Sequence, residues 1–327
     1  MSTAKSIPLD PDLAKIVAAM RSANAPPPFS GTPAQARERL RSAIMAAREH
    51  RSLPIVGTTQ DCVATHGGES VPIRIYRPVG APRTLPTVVF FHGGGFVLGS
   101  IELMDDIARK LCRDLDSVVV SVDYRLAPEF PFPAAHNDAL TATIWALDNA
   151  ASLGGEKSCV AVAGESAGAN LAASAAMMLR DRGLPLARIK AQLLIVPGAD
   201  MARDTHALEA GGADCPMLSP ADLREVARLL MGDQVSQSVL FPPSPLRAAE
   251  FGGLPPAVIA VAGHDPLYEE GITYARCLSD AGVPVDLLRF EDMFHPFFGF
   301  FDASASARRA NDAICRTFSH RLRGESS

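Results

Sequence analysis

Apolar positions along this chain change period several times, and the changes divide it into elements. Between residues 11 and 23, Leu13, Ile16, Val17 and Met20 recur at i, i+3, i+4 and i+7, which predicts a short amphipathic helix ended by Pro26-Pro27-Pro28. A second helical stripe, Ala36, Leu40, Ala43, Ile44 and Ala47, runs through residues 33–51. Strand patterns follow at 58–64, 71–76 and 87–91, the last an uninterrupted apolar run of the kind buried on both faces of a sheet. Helix and strand patterns then alternate: helix 101–115, strand 117–122, helix 134–151, strand 159–163, a helix beginning at Ser166, and strand 191–196. The alternation breaks between 197 and 256, a stretch rich in Gly, Pro, Asp and Met with one helical pattern at Pro220–Met231. It resumes with strand 257–261, helix 267–281, strand 285–290 and helix 304–321. Such alternation predicts an α/β fold, a mainly parallel central sheet flanked by helices.

Two helices ahead of the first strand read as a cap or arm, and the irregular segment as an insertion carrying part of a pocket, because long irregular segments in compact domains are usually functional. The expected divisions are cap helices over residues 1–52, a first part of the core over 53–196, a cap or insertion segment over 197–245, and a second part of the core over 246–327. In a sheet of this type, sites lie beyond the carboxyl ends of the strands.

Composition narrows the function classes. With 327 residues, 47% of them hydrophobic and 20% charged, the chain can bury a large core. A formal net charge of −5 argues against nucleic acid as a partner. No apolar run reaches membrane-spanning length, and the first ten residues lack the basic-then-apolar pattern of a signal peptide, so no membrane span and a cytoplasmic location are expected. The six cysteines, Cys62, Cys112, Cys159, Cys215, Cys277 and Cys315, are scattered without a close pair, which reads as thiols rather than a disulfide frame or a metal site.

Chemistry concentrates at the ends of four predicted strands. The strand at 159–163 runs into Gly164-Glu165-Ser166-Ala167-Gly168 and then a helix, and a turn that sharp leaves no room for a Cβ on either side of Ser166. It lifts the hydroxyl above the sheet, while the helix points backbone N–H groups at the same spot. The strand at 87–91 is followed by His92-Gly93-Gly94-Gly95-Phe96. Three glycines expose N–H groups suited to an oxyanion, the stretch lacks the ending of a phosphate loop, and Gly93, Gly94 and Ala167 are the candidate donors. Asp265 follows the strand at 257–261, and His295 follows the strand at 285–290. Asp265 is placed to orient a base and His295 to be one. His264 is a decoy, since adjacent side chains on an extended segment point apart. Glu269, Glu270 and Asp292 are competing acids for the third role. Ser166, Asp265 and His295 occur in the chain order used by α/β-hydrolases.

Together these residues resemble the hormone-sensitive lipase-like esterases of the α/β-hydrolase superfamily, over roughly residue 87 to the C-terminus. The resemblance rests on His92-Gly93-Gly94-Gly95-Phe96, on Tyr124-Arg125-Leu126-Ala127-Pro128-Glu129 with Pro131-Phe132-Pro133-Ala134-Ala135 and Asp138, and on the elbow at Ser166. Ser244-Pro245, Leu254-Pro255-Pro256, Asp265-Pro266-Leu267 and Ala281-Gly282-Val283-Pro284-Val285 also match. It implies a serine carboxylesterase with a helical cap over its acyl pocket, acting on small-molecule esters of short to medium acyl chain. It implies no cofactor and no metal, and a homodimer through an edge strand or the last helix is common among relatives.

Two positions depart from the family pattern: Glu165 stands where Asp is usual before the nucleophile, and Pro296 where Gly usually follows the histidine. Proline removes a donor and restricts His295, so the loop must differ locally. Rival readings keep the fold and change the activity. One is hydrolysis of an amide, carbamate or lactone, and the other is a small-molecule-binding protein that does not hydrolyse. The latter would show as a missing nucleophile, base or acid, and all three are present. Met20, Phe29, Met217, Phe294, Phe297 and Phe298 are candidate pocket walls, each equally suited to plain core. His92 reads as an organiser of its loop.

Overall fold

The computed structural model describes residues 7–49, 51–80, 84–184, 186–211 and 215–324. Helices α1 (Pro11–Ser22) and α2 (Pro33–Arg48) come first, each opening with a proline in its first turn behind a capping side chain. Asp10 accepts from the N–H groups of Asp12 and Leu13, while Thr32 and Gln35 form a reciprocal capping box. Strands β1 (Thr58–His66) and β2 (Glu69–Arg77) make a hairpin across Gly67 and Gly68, both at positive φ.

Strand β3 (Leu85–Phe91), α3 (Asp105–Leu115), β4 (Val118–Val122), α4 (Ala134–Asn149), β5 (Gly155–Glu165), α5 (Ala167–Asp181) and β6 (Ile189–Ile195) then alternate. The irregular segment holds α6 (Thr205–Ala210) and α7 (Pro220–Met231). The chain closes with β7 (Ala257–His264), α8 (Tyr268–Asp280), β8 (Val285–Phe294) and α9 (Ala305–Arg323). Helix α3 starts four residues later than its apolar pattern suggested. Residues 101–104 are turn, and the acidic pair Asp105 and Asp106 occupies the first helical turn, where the helix dipole favours negative charge.

The eight strands form one sheet in the order β1-β2-β4-β3-β5-β6-β7-β8. Strand β2 runs antiparallel to both neighbours, and every pairing from β4 to β8 is parallel. Side chains alternate between two apolar layers, as the two-residue period of a strand requires. Val89 and Phe91 of β3 join the layer of α4, α5 and α8, while Val88 and Phe90 join that of α3 and α9. Strands β3 to β7 are therefore covered on both faces. Their carboxyl ends all lie at one edge of the sheet, and there the strand-end residues collect.

Candidate active site

Strand β5 ends at Glu165 and α5 starts at Ala167, so Ser166 alone makes the turn, at φ 57° and ψ −116°. A residue with a Cβ is strained in that region and stays there only where its surroundings dictate it. Here they do. The Ser166 N–H donates to the Ile195 carbonyl at 2.8 Å and its carbonyl accepts from the Asn170 N–H at 3.1 Å. A Cβ on Gly164 would strike the Gly168 carbonyl, and one on Gly168 would strike the Phe91 carbonyl. Chain segments approach so closely at the elbow that only glycine fits. As the first residue of α5, Ala167 carries an N–H with no acceptor inside the helix.

The glycine loop after β3 meets this turn. Gly94 and Gly95 have φ of 120° and 60°, and the Gly94 carbonyl accepts from the N–H of Leu98 at 2.8 Å. A Cβ on Gly93 would sit 3.7 Å from the Ser166 Cβ, which places that glycine beside the hydroxyl. His92 organises the loop from beneath: Nδ1 lies 2.7 Å from the Gly93 carbonyl, and the ring stacks on Tyr124 at 4.3 Å between centroids. The Tyr124 hydroxyl donates to the His92 carbonyl at 2.8 Å, and the Ala127 N–H to the Phe96 carbonyl, also at 2.8 Å. Arg125 grips Asp138 through Nε and Nη2, and Glu129 pairs with Arg37 of α2 at 2.6 Å. Residues 124–129 thus brace the glycine loop and fasten the cap to it.

Asp265 and His295 each follow directly on a strand, β7 and β8, and both are buried. His295 Nδ1 lies 2.8 Å from Asp265 Oδ2, so the carboxylate fixes the tautomer with the proton on Nδ1. Burial pulls the imidazole pKa down, but the Asp265 charge and hydrogen bond, with a contribution from Glu165, outweigh it and leave His295 above the ordinary histidine range. Burial pushes His92 down and His136 to about 4, so both are neutral in use. His264 points elsewhere, with Nε2 3.1 Å from the Ile7 carbonyl. Glu270 is occupied by Arg203 at 2.8 Å and by the N–H groups of Ala199 and Asp200, and Glu269 is exposed. Among the described residues, the carboxylate joined to His295 is that of Asp265.

Ser166, Ala167, His295, Gly93 and Gly94 all line one cavity of about 1110 Å³. Its far wall is the apolar face of α2, namely Ala36, Leu40, Ala43, Ile44 and Ala47, joined by Met20, Phe29, Met217 and Val226. Phe294, Phe297 and Phe298 do not belong to that wall. They are fully buried in the layer of α3 and α9, and Phe300 reaches the cavity instead. Among the lining charges that escaped the sequence reading are Arg203, buried against Glu270, and Asp106, 3.3 Å from Arg48. Neither sits in a motif, so nothing in the sequence signalled them. Among the described residues no cluster of three or more His, Cys, Asp or Glu side chains is arranged to hold a metal ion, and no helix is long and apolar enough to cross a membrane.

Comparison with known proteins agrees with this geometry. Residues 88–299 match the family model described as alpha/beta hydrolase fold. The chain belongs to the hormone-sensitive lipase-like α/β-hydrolases. It is 38% identical over 280 residues to esterase LipI of Mycobacterium tuberculosis, covering 84% of each chain. It is 39% identical over 252 residues to carboxylesterase NlhH of the same organism, covering 76% of this chain and 77% of that one. Among solved structures, the hyperthermophilic esterase of Pyrobaculum calidifontis superposes with a TM-score of 0.86 at 33% identity, over 96% of this chain and 98% of that one. At the elbow of this α/β-hydrolase the Glu165 carboxyl is buried, with Oε1 lacking a hydrogen-bond partner among the described residues.

Proposed function

We propose that this α/β-hydrolase is a serine carboxylesterase that works through an acyl-enzyme on Ser166. His295 removes the Ser166 proton as Oγ attacks the ester carbonyl, and Asp265 holds the Nδ1 proton and stabilises the imidazolium. The N–H groups of Gly93, Gly94 and Ala167 take up the charge on the tetrahedral oxygen. The alcohol leaves with the proton from His295. Water then enters and gives a proton to His295 as its oxygen attacks the acyl carbon; the C–Oγ bond breaks, His295 returns the proton to Ser166 Oγ, and the acid leaves.

The single observation that carries this reading is the pairing of a strained Ser166 elbow with the 2.8 Å His295–Asp265 contact on one cavity. Its apolar lining and volume of about 1110 Å³ support esters of short to medium acyl chain, with room for a sizeable alcohol. The cap consists of α1 and α2 together with the segment between β6 and β7, because both contribute wall residues. A cytoplasmic location is supported by six cysteines that form no disulfide among the described residues. Self-association through β8 is part of the same reading, since that strand ends the sheet and leaves an edge without a further strand. Sedimentation would report it.

Labelling with a p-nitrophenyl phosphonate tests the mechanism. One equivalent of p-nitrophenol should be released per chain, activity should vanish, and the phosphonyl group should map to Ser166. Activity that survives complete labelling, or a label on another residue, would overturn it. Rates across acetate, butyrate and decanoate esters then size the acyl pocket.

A further inference from the structure

The triad mechanism leaves a buried carboxyl group beside the reacting residues without a role. Glu165 is 2% exposed, immediately precedes the nucleophile, and still lines the catalytic cavity. Its carboxyl sits where three segments converge. A Cβ on Gly93 would lie 3.5 Å from Oε2, the Phe298 N–H beyond His295 favours the ionised form, and the charge of Asp106 of α3 opposes it. Oε1 meets no donor among the described residues. A buried carboxyl held this way costs stability, and packing alone does not require an acid at this place.

The charged groups around it include those of the reaction. The charges of His295 and Asp265, at the ends of β8 and β7, act on it, as does that of Asp106 of α3, which pairs with Arg48 of α2 at 3.3 Å; Glu165, His295 and Asp106 line the same cavity. The Arg203 charge opposes protonation of His295. Resting on the Ser166–His295–Asp265 reading, we propose that Glu165 is a positioning residue for the base: ionised, it supports the imidazolium that His295 becomes in each proton transfer, and protonated, it withdraws that support. Burial raises the Glu165 pKa, opposed by the charge of His295, to about 7. The Glu165 charge in turn adds to the forces that lift His295 above its ordinary value. Two groups coupled this way titrate in macroscopic steps that belong to the pair. The acid side of the rate profile then reports both of them.

The test is kcat/KM from pH 5 to 9 on p-nitrophenyl butyrate. Wild type should lose activity toward acid over two ionisations. Glu165→Gln should leave a single ionisation, displaced by about half a pH unit or more toward acid because a charge that raised His295 is gone. Its plateau kcat should fall about tenfold with KM unchanged, since the support is needed in the transition state rather than in binding. Glu165→Asp should restore the two-step limb. A Gln variant whose limb keeps its shape and midpoint while kcat falls would reduce Glu165 to a structural part and overturn the proposal. A wild-type limb with one ionisation would overturn it without any variant. Phosphonate labelling separates the two readings. An unchanged limb with Ser166 fully labelled and inactivated removes the role of Glu165 alone, whereas activity surviving the label removes the triad itself.

Discussion

The two walls of the cavity are built by opposite means. On the sheet side, backbone meets backbone: the elbow and the glycine loop approach so closely that Gly164, Gly168 and Gly94 have no room for a side chain. On the cap side, α2 buries a single residue of sixteen, Ala36, and is fastened by arginines. Arg37 reaches the carbonyls of Val97 and Ala127 and the Glu129 carboxylate, Arg41 reaches Glu102, and Arg48 reaches the carbonyls of Glu102 and Leu103 and the Asp106 carboxylate. A close-packed backbone has one arrangement, and a change of one methyl group is felt. Partly exposed ion pairs exchange with water and are screened by salt. The chemistry is therefore fixed rigidly, while the shape of the pocket above it is held by contacts that can loosen.

Breaking the rigid side should cost most. His295→Ala is expected to lower kcat/KM on the order of 10⁴-fold or more, whereas His264→Ala stays within a few-fold. The reverse ranking in a side-by-side assay would exchange base and decoy. Gly94→Ala puts a Cβ at φ 120° against the Leu98 carbonyl, and the displaced loop should cost about 10²-fold in kcat with the circular dichroism spectrum intact. A Gly94→Ala enzyme with full turnover would show that the loop is not an oxyanion site.

The next expected effect concerns stability. Glu165 has a folded pKa raised to about 7 from the ordinary 4.5, so the folded state prefers it protonated. Stability from this preference is present below the unfolded value and is lost as pH rises through about 7. Glu165→Gln should accordingly be more stable than wild type at pH 8, by up to about 3 kcal/mol, with the advantage fading toward pH 4.5. Denaturant unfolding at the two pH values measures it, and an equal difference at both would contradict the burial argument. The smallest effects belong to the cap. Arg48→Ala should change rates on bulky esters only a few-fold and destabilise the protein by about 1 kcal/mol or less, and wild type should show the same trend in high salt. A loss there as large as that of Gly94→Ala would erase the distinction between the two walls.

The same difference decides what the sequence could tell. Strands β3, β5 and β7 were legible because buried parallel strands are continuous apolar runs, and the elbow leaves its glycines at fixed offsets from Ser166; β8, half-buried and carrying Asp286, Arg289, Glu291 and Asp292, was read from its place in the alternation. His295 could be chosen over His264 because neighbours on an extended segment point apart, and His264 indeed turns to the Ile7 carbonyl. The direction of the α2 face was not legible. Periodicity shows that Leu40, Ala43, Ile44 and Ala47 share a side, but a face lining a cavity has the same period as one packed on a core. Phe297 and Phe298 illustrate the converse, since proximity to His295 in sequence put them near the site while their side chains turn into the α9 layer. Arg203 was invisible because its meaning depends on Glu270, 67 positions away.

The most direct test of the rigid catalytic frame is hydrolysis of p-nitrophenyl butyrate by wild type and by Ser166→Ala at pH 8, with both proteins shown to be folded. The wild type should release p-nitrophenol rapidly, and the variant should show a loss on the order of 10⁴-fold or more at unchanged thermal stability. A Ser166→Ala protein that kept substantial turnover would contradict the frame, because the strained elbow would then have been built around a residue the reaction does not use.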